Sequence, residues 1–193
     1  TMDGITFHGS VPACLPLRCK AKAQGKQTAD DHRQEEPRRR DPADSPLKWQ
    51  YVTGGGEHAC GLLAAASNQS NPLLRCWGDN SANQTDVPLL PDGFQWKSVS
   101  AGDGATSCAI ASDRNSAVAG GRLYCWGADE HGEATVPADT NNSYHSVSCG
   151  RYFTCAITSP AHKLRCWGRN EADEASPPVG SGWKSVSCGA QFC

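Results

Sequence analysis

Trp96-Lys-Ser-Val99, Cys108-Ala-Ile110 and Leu123-Tyr-Cys125-Trp126-Gly127 are the runs whose reading decides the fold, because the chain repeats them in the same order. Upstream stand Trp49-Gln-Tyr-Val52, Cys60-Gly-Leu-Leu63 and Leu74-Arg-Cys76-Trp77-Gly78. Downstream stand Tyr144-His-Ser-Val147, Cys155-Ala-Ile157 and Leu164-Arg-Cys166-Trp167-Gly168, and a fourth copy opens at Trp183-Lys-Ser-Val186 with Gly189 and reaches Cys193. The anchors at 49, 96, 144 and 183 are 47, 48 and 39 positions apart, a period of propeller blades or helical repeats. Composition separates the two. Each copy is made of short Val, Ile, Leu, Trp and Cys runs broken by Gly, Asn, Asp and Pro, without a stretch of helical periodicity, so the copies read as strands.

Within a copy, two strands flank a loop of variable length, the pattern of a β-hairpin whose tip tolerates insertion. After each Trp-Gly pair comes a turn in which Asn83, Gly132 and Asp173 share one register, five residues before Pro88, Pro137 and Pro178. Gly, Asn and Asp tolerate a left-handed backbone, so this position is expected to have positive φ. The proline then fixes φ and removes an amide donor as the chain leaves for the next copy.

The order W-x-x-V-x-x-G, C-A-I or C-G-L, L-x-C-W-G, turn, V-P resembles the regulator-of-chromosome-condensation repeat, over about residues 47 to 193. The form with Cys on both hairpin strands is similar to the ectodomain repeats of plant crinkly-type receptor kinases, and the architecture to secreted β-lactamase inhibitory propellers (the β-lactamase inhibitory protein II-like superfamily). The resemblance implies an all-β chain, a partial β-propeller of three blades and the start of a fourth. Their expected bounds are 47–95, 96–143, 144–182 and an incomplete 183–193. Propellers of this family commonly have seven blades in a closed ring, so the remaining blades are expected in a longer protein, the alternative being an open edge covered by another chain.

Residues 1–46 form a separate segment. From Asp30 to Asp44 the stretch DDHRQEEPRRRDPAD carries dense mixed charge and almost no apolar side chain, the composition of a disordered tail or linker. Arg38, Arg39 and Arg40 are flanked by acids and read as part of that solvated linker. A net charge of -2 offers no global attraction to nucleic acid, and no apolar run approaches the ~18 residues of a membrane span. No nucleic acid and no membrane contact are therefore expected of this segment. The first residue is Thr1, so the native start and any signal peptide are expected to lie upstream.

Eleven Cys point to disulfides, metal ligation or both. In every complete copy one Cys lies on the first hairpin strand and one just before Trp-Gly, at separations of 16, 17 and 11. Metal motifs hold short fixed spacings, whereas a cross-strand bridge depends only on ladder register. The expected pairs are Cys60 with Cys76, Cys108 with Cys125, and Cys155 with Cys166; buried free thiols are the competing reading. The partners of Cys14, Cys19, Cys149, Cys188 and Cys193 stay open. Cys149 and Cys188 share a register and either face each other between blades or pair elsewhere, and Cys193, one position early, is expected to pair in a continuation. Asn68, Asn83 and Asn141 head Asn-x-Ser/Thr sequons and are glycosylation acceptors in an extracellular chain.

No catalytic residue, metal ligand or cofactor site emerges. His58, His131, His145 and His162 occupy different registers and fit no metal-ligand spacing, and Gly54-Gly55-Gly56 lacks the Lys-Ser/Thr of a phosphate loop and reads as a strand-end turn. The carboxylates Asp129, Glu130 and Glu133, and Glu171, Asp173 and Glu174, read as solvated turns. The six Trp recur in two registers and read as packing between blades. The function expected is a non-enzymatic recognition module, secreted or in a receptor ectodomain, taking a protein or peptide through loops such as 64–73, 111–122 and 158–163. Two alternatives follow from the resemblance: an intracellular regulator of a small GTPase or of chromatin, acting like a guanine-nucleotide exchange factor in cytoplasm or nucleus, and a secreted enzyme inhibitor. A kinase domain would belong to another part of the protein.

Overall fold

The computed structural model describes residues 48–64, 73–116, 120–138 and 143–193. Segment 1–46 with Cys14, Cys19 and the Arg38–Arg40 triplet lies outside them, as do Asn68 and Asn141. The described residues form three antiparallel sheets of three strands each and no helix. The first sheet is β1 (Trp49–Gly54), β2 (His58–Leu63) and β3 (Leu74–Gly78). The second is β4 (Phe94–Ala101), β5 (Thr106–Asp113) and β6 (Arg122–Gly127). The third is β7 (Tyr144–Cys149), β8 (Phe153–Thr158) and β9 (Leu164–Gly168). Each sheet keeps its strands in chain order, and the first strands lie side by side, β1 on β4 and β4 on β7, as blades stack around a propeller axis.

Each hairpin expected from the sequence gains a third strand, the Trp/Tyr-x-x-Val run itself. A regular strand would put Trp96 and Val99, three apart, on opposite faces. A register shift between Trp96 and Ser98 inserts one extra residue, Lys97, and brings both side chains into the same core. The same irregularity falls between Trp49 and Tyr51 and between Tyr144 and Ser146. The W-x-x-V spacing is therefore the signature of a bulged strand.

Blade faces interlock in sequence. Trp96, Val99, Ala101 and Trp126 of the second sheet bury against Cys60, Leu62 and Leu74 of the first. Tyr144, Cys149 and Ala156 of the third bury against Cys108, Ile110 and Leu123 of the second. Recurrence of Trp did not mean uniform burial: Trp96 and Trp126 are 6% and 9% exposed, Trp167 and Trp183 are half-buried, and Trp49 and Trp77 are 42% and 44% exposed. The last two occupy the face that, in the second sheet, packs on the preceding blade.

Trp-Gly recurs for a local reason. Gly78, Gly127 and Gly168 have φ of 110°, 103° and 106°, and a Cβ there would run into the carbonyl oxygens of Glu57, Ala105 and Tyr152. Asn83, Gly132 and Asp173 have φ of 63°, 79° and 61°, agreeing with the left-handed geometry read from their shared register.

The cysteines of each hairpin stand directly opposite one another. Cys60–Cys76, Cys108–Cys125 and Cys155–Cys166 are bonded, with Cα separations of 4.0, 4.1 and 4.0 Å, close to those of a non-hydrogen-bonded antiparallel pair. The expectation for Cys193 is corrected. A turn in which the Gly189 N–H donates to the Phe192 carbonyl (2.8 Å) folds the chain back, and Cys193 bonds to Cys188 instead of awaiting a further strand. Cys149 is a buried free thiol, pushed up to about 12 by desolvation, and does not pair with its repeat equivalent.

Candidate functional site

In each sheet the turn joining the first two strands and the turn after Trp-Gly emerge at one end, and the hairpin tips at the other. The first kind of turn closes on one backbone bond of 2.8 Å: Gly55 to His58, Gly102 to Thr106, Gly150 to Phe153. The second closes on a buried side chain. Gln84 Oε1 accepts from the Ala82 N–H (2.9 Å), Glu133 Oε2 from His131 (2.7 Å) and Glu174 Oε2 from Ala172 (2.6 Å).

The reading of all six carboxylates as solvated is thereby corrected. Asp129, Glu130, Glu171 and Asp173 are exposed, but Glu133 and Glu174 are buried because their side chains satisfy the N–H groups of their own turns. The environment of the other terminal atom differs by copy. Arg169 Nε donates to Glu174 Oε1 (2.7 Å), Gln84 Nε2 donates to Asp79 Oδ2 (2.6 Å), and Glu133 Oε1, with Ala128 at the corresponding position, has no partner. A hydrogen bond from its own backbone N–H, reinforced by those from Ala172 and Arg169 and opposed by burial, holds the Glu174 carboxyl below its ordinary range.

The backbone of this turn clamps the next blade. The Gln84 carbonyl accepts from Ser107 Oγ on β5 (2.9 Å) and from Trp126 Nε1 on β6 (2.9 Å). One blade on, the Glu133 carbonyl accepts from Thr154 Oγ1 (2.9 Å) and Trp167 Nε1 (3.1 Å). In the first copy Ala59 takes the hydroxyl position, opposite Trp77.

Between the first two blades these turns leave an open cleft of about 430 Å³, lined by Glu57, His58, Asp79 and Asp103, with Arg151 and Tyr152 of the third blade at its far side. His58 is 5% exposed, and its Nε2 lies 2.8 Å from Ser107 Oγ. Burial depresses its pKa below 6.5, partly offset by the negative charge of Asp79. Asp79 is itself held low, chiefly by Ser81 and Gln84 donating to it. Arg151 lies 3.5 Å from Asp103, both about half exposed, and its guanidinium sits 5.6 Å from the Tyr152 ring centroid.

The loops singled out from sequence sit at the opposite end. Most of 64–73 lies outside the described residues. Of 111–122, Ala111–Asp113 and Arg122 belong to strands, because Ala111, Ser112 and Asp113 go on pairing with Trp96, Gln95 and Phe94. Of 158–163, Thr158 ends β8 and the rest forms the tip. The cleft was missed. Its one sequence signal is His58, where the other copies carry Thr106 and Phe153. Asn83 is exposed on its turn. Among the described residues the sulfurs of Cys155, Cys188 and Cys193 are the one group of three potential metal ligands close together, and all are disulfide-bonded.

Residues 144–172 match the regulator of chromosome condensation (RCC1) repeat. The third blade thus carries an RCC1-type repeat. Its fold is similar to the entire ectodomain of the Physcomitrella patens receptor kinase CR4, with 27% identity and a TM-score of 0.53, over 76% of this chain and 34% of that one. It is similar to Prp20p from Saccharomyces cerevisiae, studied for its binding to Gsp1p and histones, with 18% identity and a TM-score of 0.53, over 75% of this chain and 42% of that one. Human WBSCR16 aligns at 15% identity and a TM-score of 0.50, over 73% and 40%. The last two show a shared fold. The chain spans between 34% and 42% of the length of these solved structures.

Proposed function

We propose that this chain is part of an extracellular propeller, secreted or in a receptor ectodomain, that recognises a protein or peptide and carries no catalytic machinery of its own. The observation that carries the reading is the bridge in every complete RCC1-type repeat, because cross-strand disulfides persist in oxidising compartments and are rare in cytosol and nucleus. The likeness to the CR4 ectodomain supports the same compartment. A rigid scaffold with variable loops at both ends is suited to binding. In this setting Asn83 carries a glycan, since its exposed turn leaves room for one, while Gln84 inside the same sequon stays buried.

The test is selection of a displayed random-peptide library on the immobilised, oxidised chain. A consensus should emerge whose binding is lost when the 159–163 tip or the 102–105 turn is replaced by Gly-Ser. Absence of any enriched sequence, or free thiols in the bridge positions of the secreted protein, would contradict the reading.

A further inference from the structure

We propose that the cleft between the first and second blades is a subsite for one cationic side chain, a guanidinium or ammonium group, of the protein or peptide partner. The proposal rests on the recognition reading above and names the chemistry it selects.

The argument starts from one proton. Ser107 has a single hydroxyl hydrogen, and it goes to the Gln84 carbonyl at 2.9 Å. Ser107 Oγ must therefore accept from His58, which places the imidazole proton on Nε2. Nδ1 is left as a bare acceptor, buried and without a partner in the protein. An orphan of this kind is costly, and an incoming N–H donor removes the cost. Burial keeps the ring neutral near pH 7, so the lone pair is available.

Charge selects the donor. Glu57, Asp79 and Asp103 supply three carboxylates around the cleft against the single guanidinium of Arg151, which is paired to Asp103. Arg169, stacked on the outer wall at 4.9 Å from the Tyr152 ring, is neutralised by Glu174. The excess is negative, and a cation gains where an anion or neutral amide does not. Gly56, which lines the cleft, and Gly55, where a Cβ would lie 3.0 Å from His58 Nδ1, bring no side chain there. The subsite belongs to the first copy alone: at the register of His58 stand Thr106, whose hydroxyl already donates to the Ala128 carbonyl (2.9 Å), and Phe153.

The test uses the whole oxidised chain and acetyl-Gly-Arg-Gly-amide, with the citrulline peptide as its neutral isostere, followed through the imidazole nitrogens of His58 by NMR. Titration with the arginine peptide should move the His58 Nδ1 signal to saturation. The citrulline peptide, and the surface variant Glu57→Gln/Asp103→Asn with its Tm unchanged, should each bind about tenfold more weakly. Equal binding of the two peptides, an unmoved Nδ1 signal, or full affinity in the variant overturns the subsite. If library-selected peptides still bind elsewhere, the recognition reading survives that loss; if nothing binds, both fall.

Discussion

Ser107 Oγ accepts from His58 of one blade and, as donor, reaches the Gln84 carbonyl of the same blade from its place on the next. Ser107→Ala keeps the backbone and removes both bonds inside a buried seam, leaving the His58 N–H unsatisfied. Urea denaturation should show a loss of about 1–3 kcal/mol. His58 adds a pH term. Its folded pKa lies below 6.5, so as pH falls the unfolded chain binds the proton first. The stability it contributes is complete above about 6.5 and drains away as pH drops towards the folded value. Thermal melts between about pH 7 and 5 should show Tm declining, and less steeply in His58→Gln. None of this was legible beforehand, because a hydrogen-bond chain between residues 49 positions apart leaves no periodic trace in a sequence.

At the scale of the element, the repeated turn after Trp-Gly shows what register can and cannot reveal. Its left-handed residue was legible because Asn83, Gly132 and Asp173 share only the ability to adopt positive φ. The inward carboxylates were not, since Glu133 and Glu174 look like any acid in a polar loop until the N–H groups they cap are located. The three turns also make a natural substitution series. Supplying Glu133 with a neighbour such as Arg169 gives Glu174, through Ala128→Arg, should raise Tm, whereas Ala128→Leu should not; equal shifts would show that Glu133 Oε1 was already satisfied by water. Bulged first strands were hidden similarly, for W-x-x-V reads as an opening signal until the extra residue is seen. Trp96→Ala, in the buried copy of that motif, should cost about 3–5 kcal/mol in chemical unfolding, and Trp49→Ala, 42% exposed, distinctly less.

Over the whole molecule, blades are joined near the axis by one recurring bond. Thr53 Oγ1 accepts from the Ala101 N–H (3.4 Å), Ser100 Oγ from Cys149 (3.0 Å), and Ser148 Oγ from Cys188 (2.9 Å). The last reaches the fourth copy, which keeps its place against the third blade although it forms no strand of its own among the described residues. The blade architecture was legible because repetition reports the fold several times over, and the cysteine pairing because only ladder register explains separations that vary while positions in the strands do not. The cleft was not, being assembled from three blades at once. Each bridge adds about 3 kcal/mol in the chain-entropy account, so a blade with little core of its own depends on it. The most direct test is peptide mapping of the chain by mass spectrometry under non-reducing conditions. It should find Cys60 linked to Cys76, Cys108 to Cys125 and Cys155 to Cys166, with Cys149 as a free thiol; reduced Cys108 and Cys125, or either one linked to another blade, would contradict it.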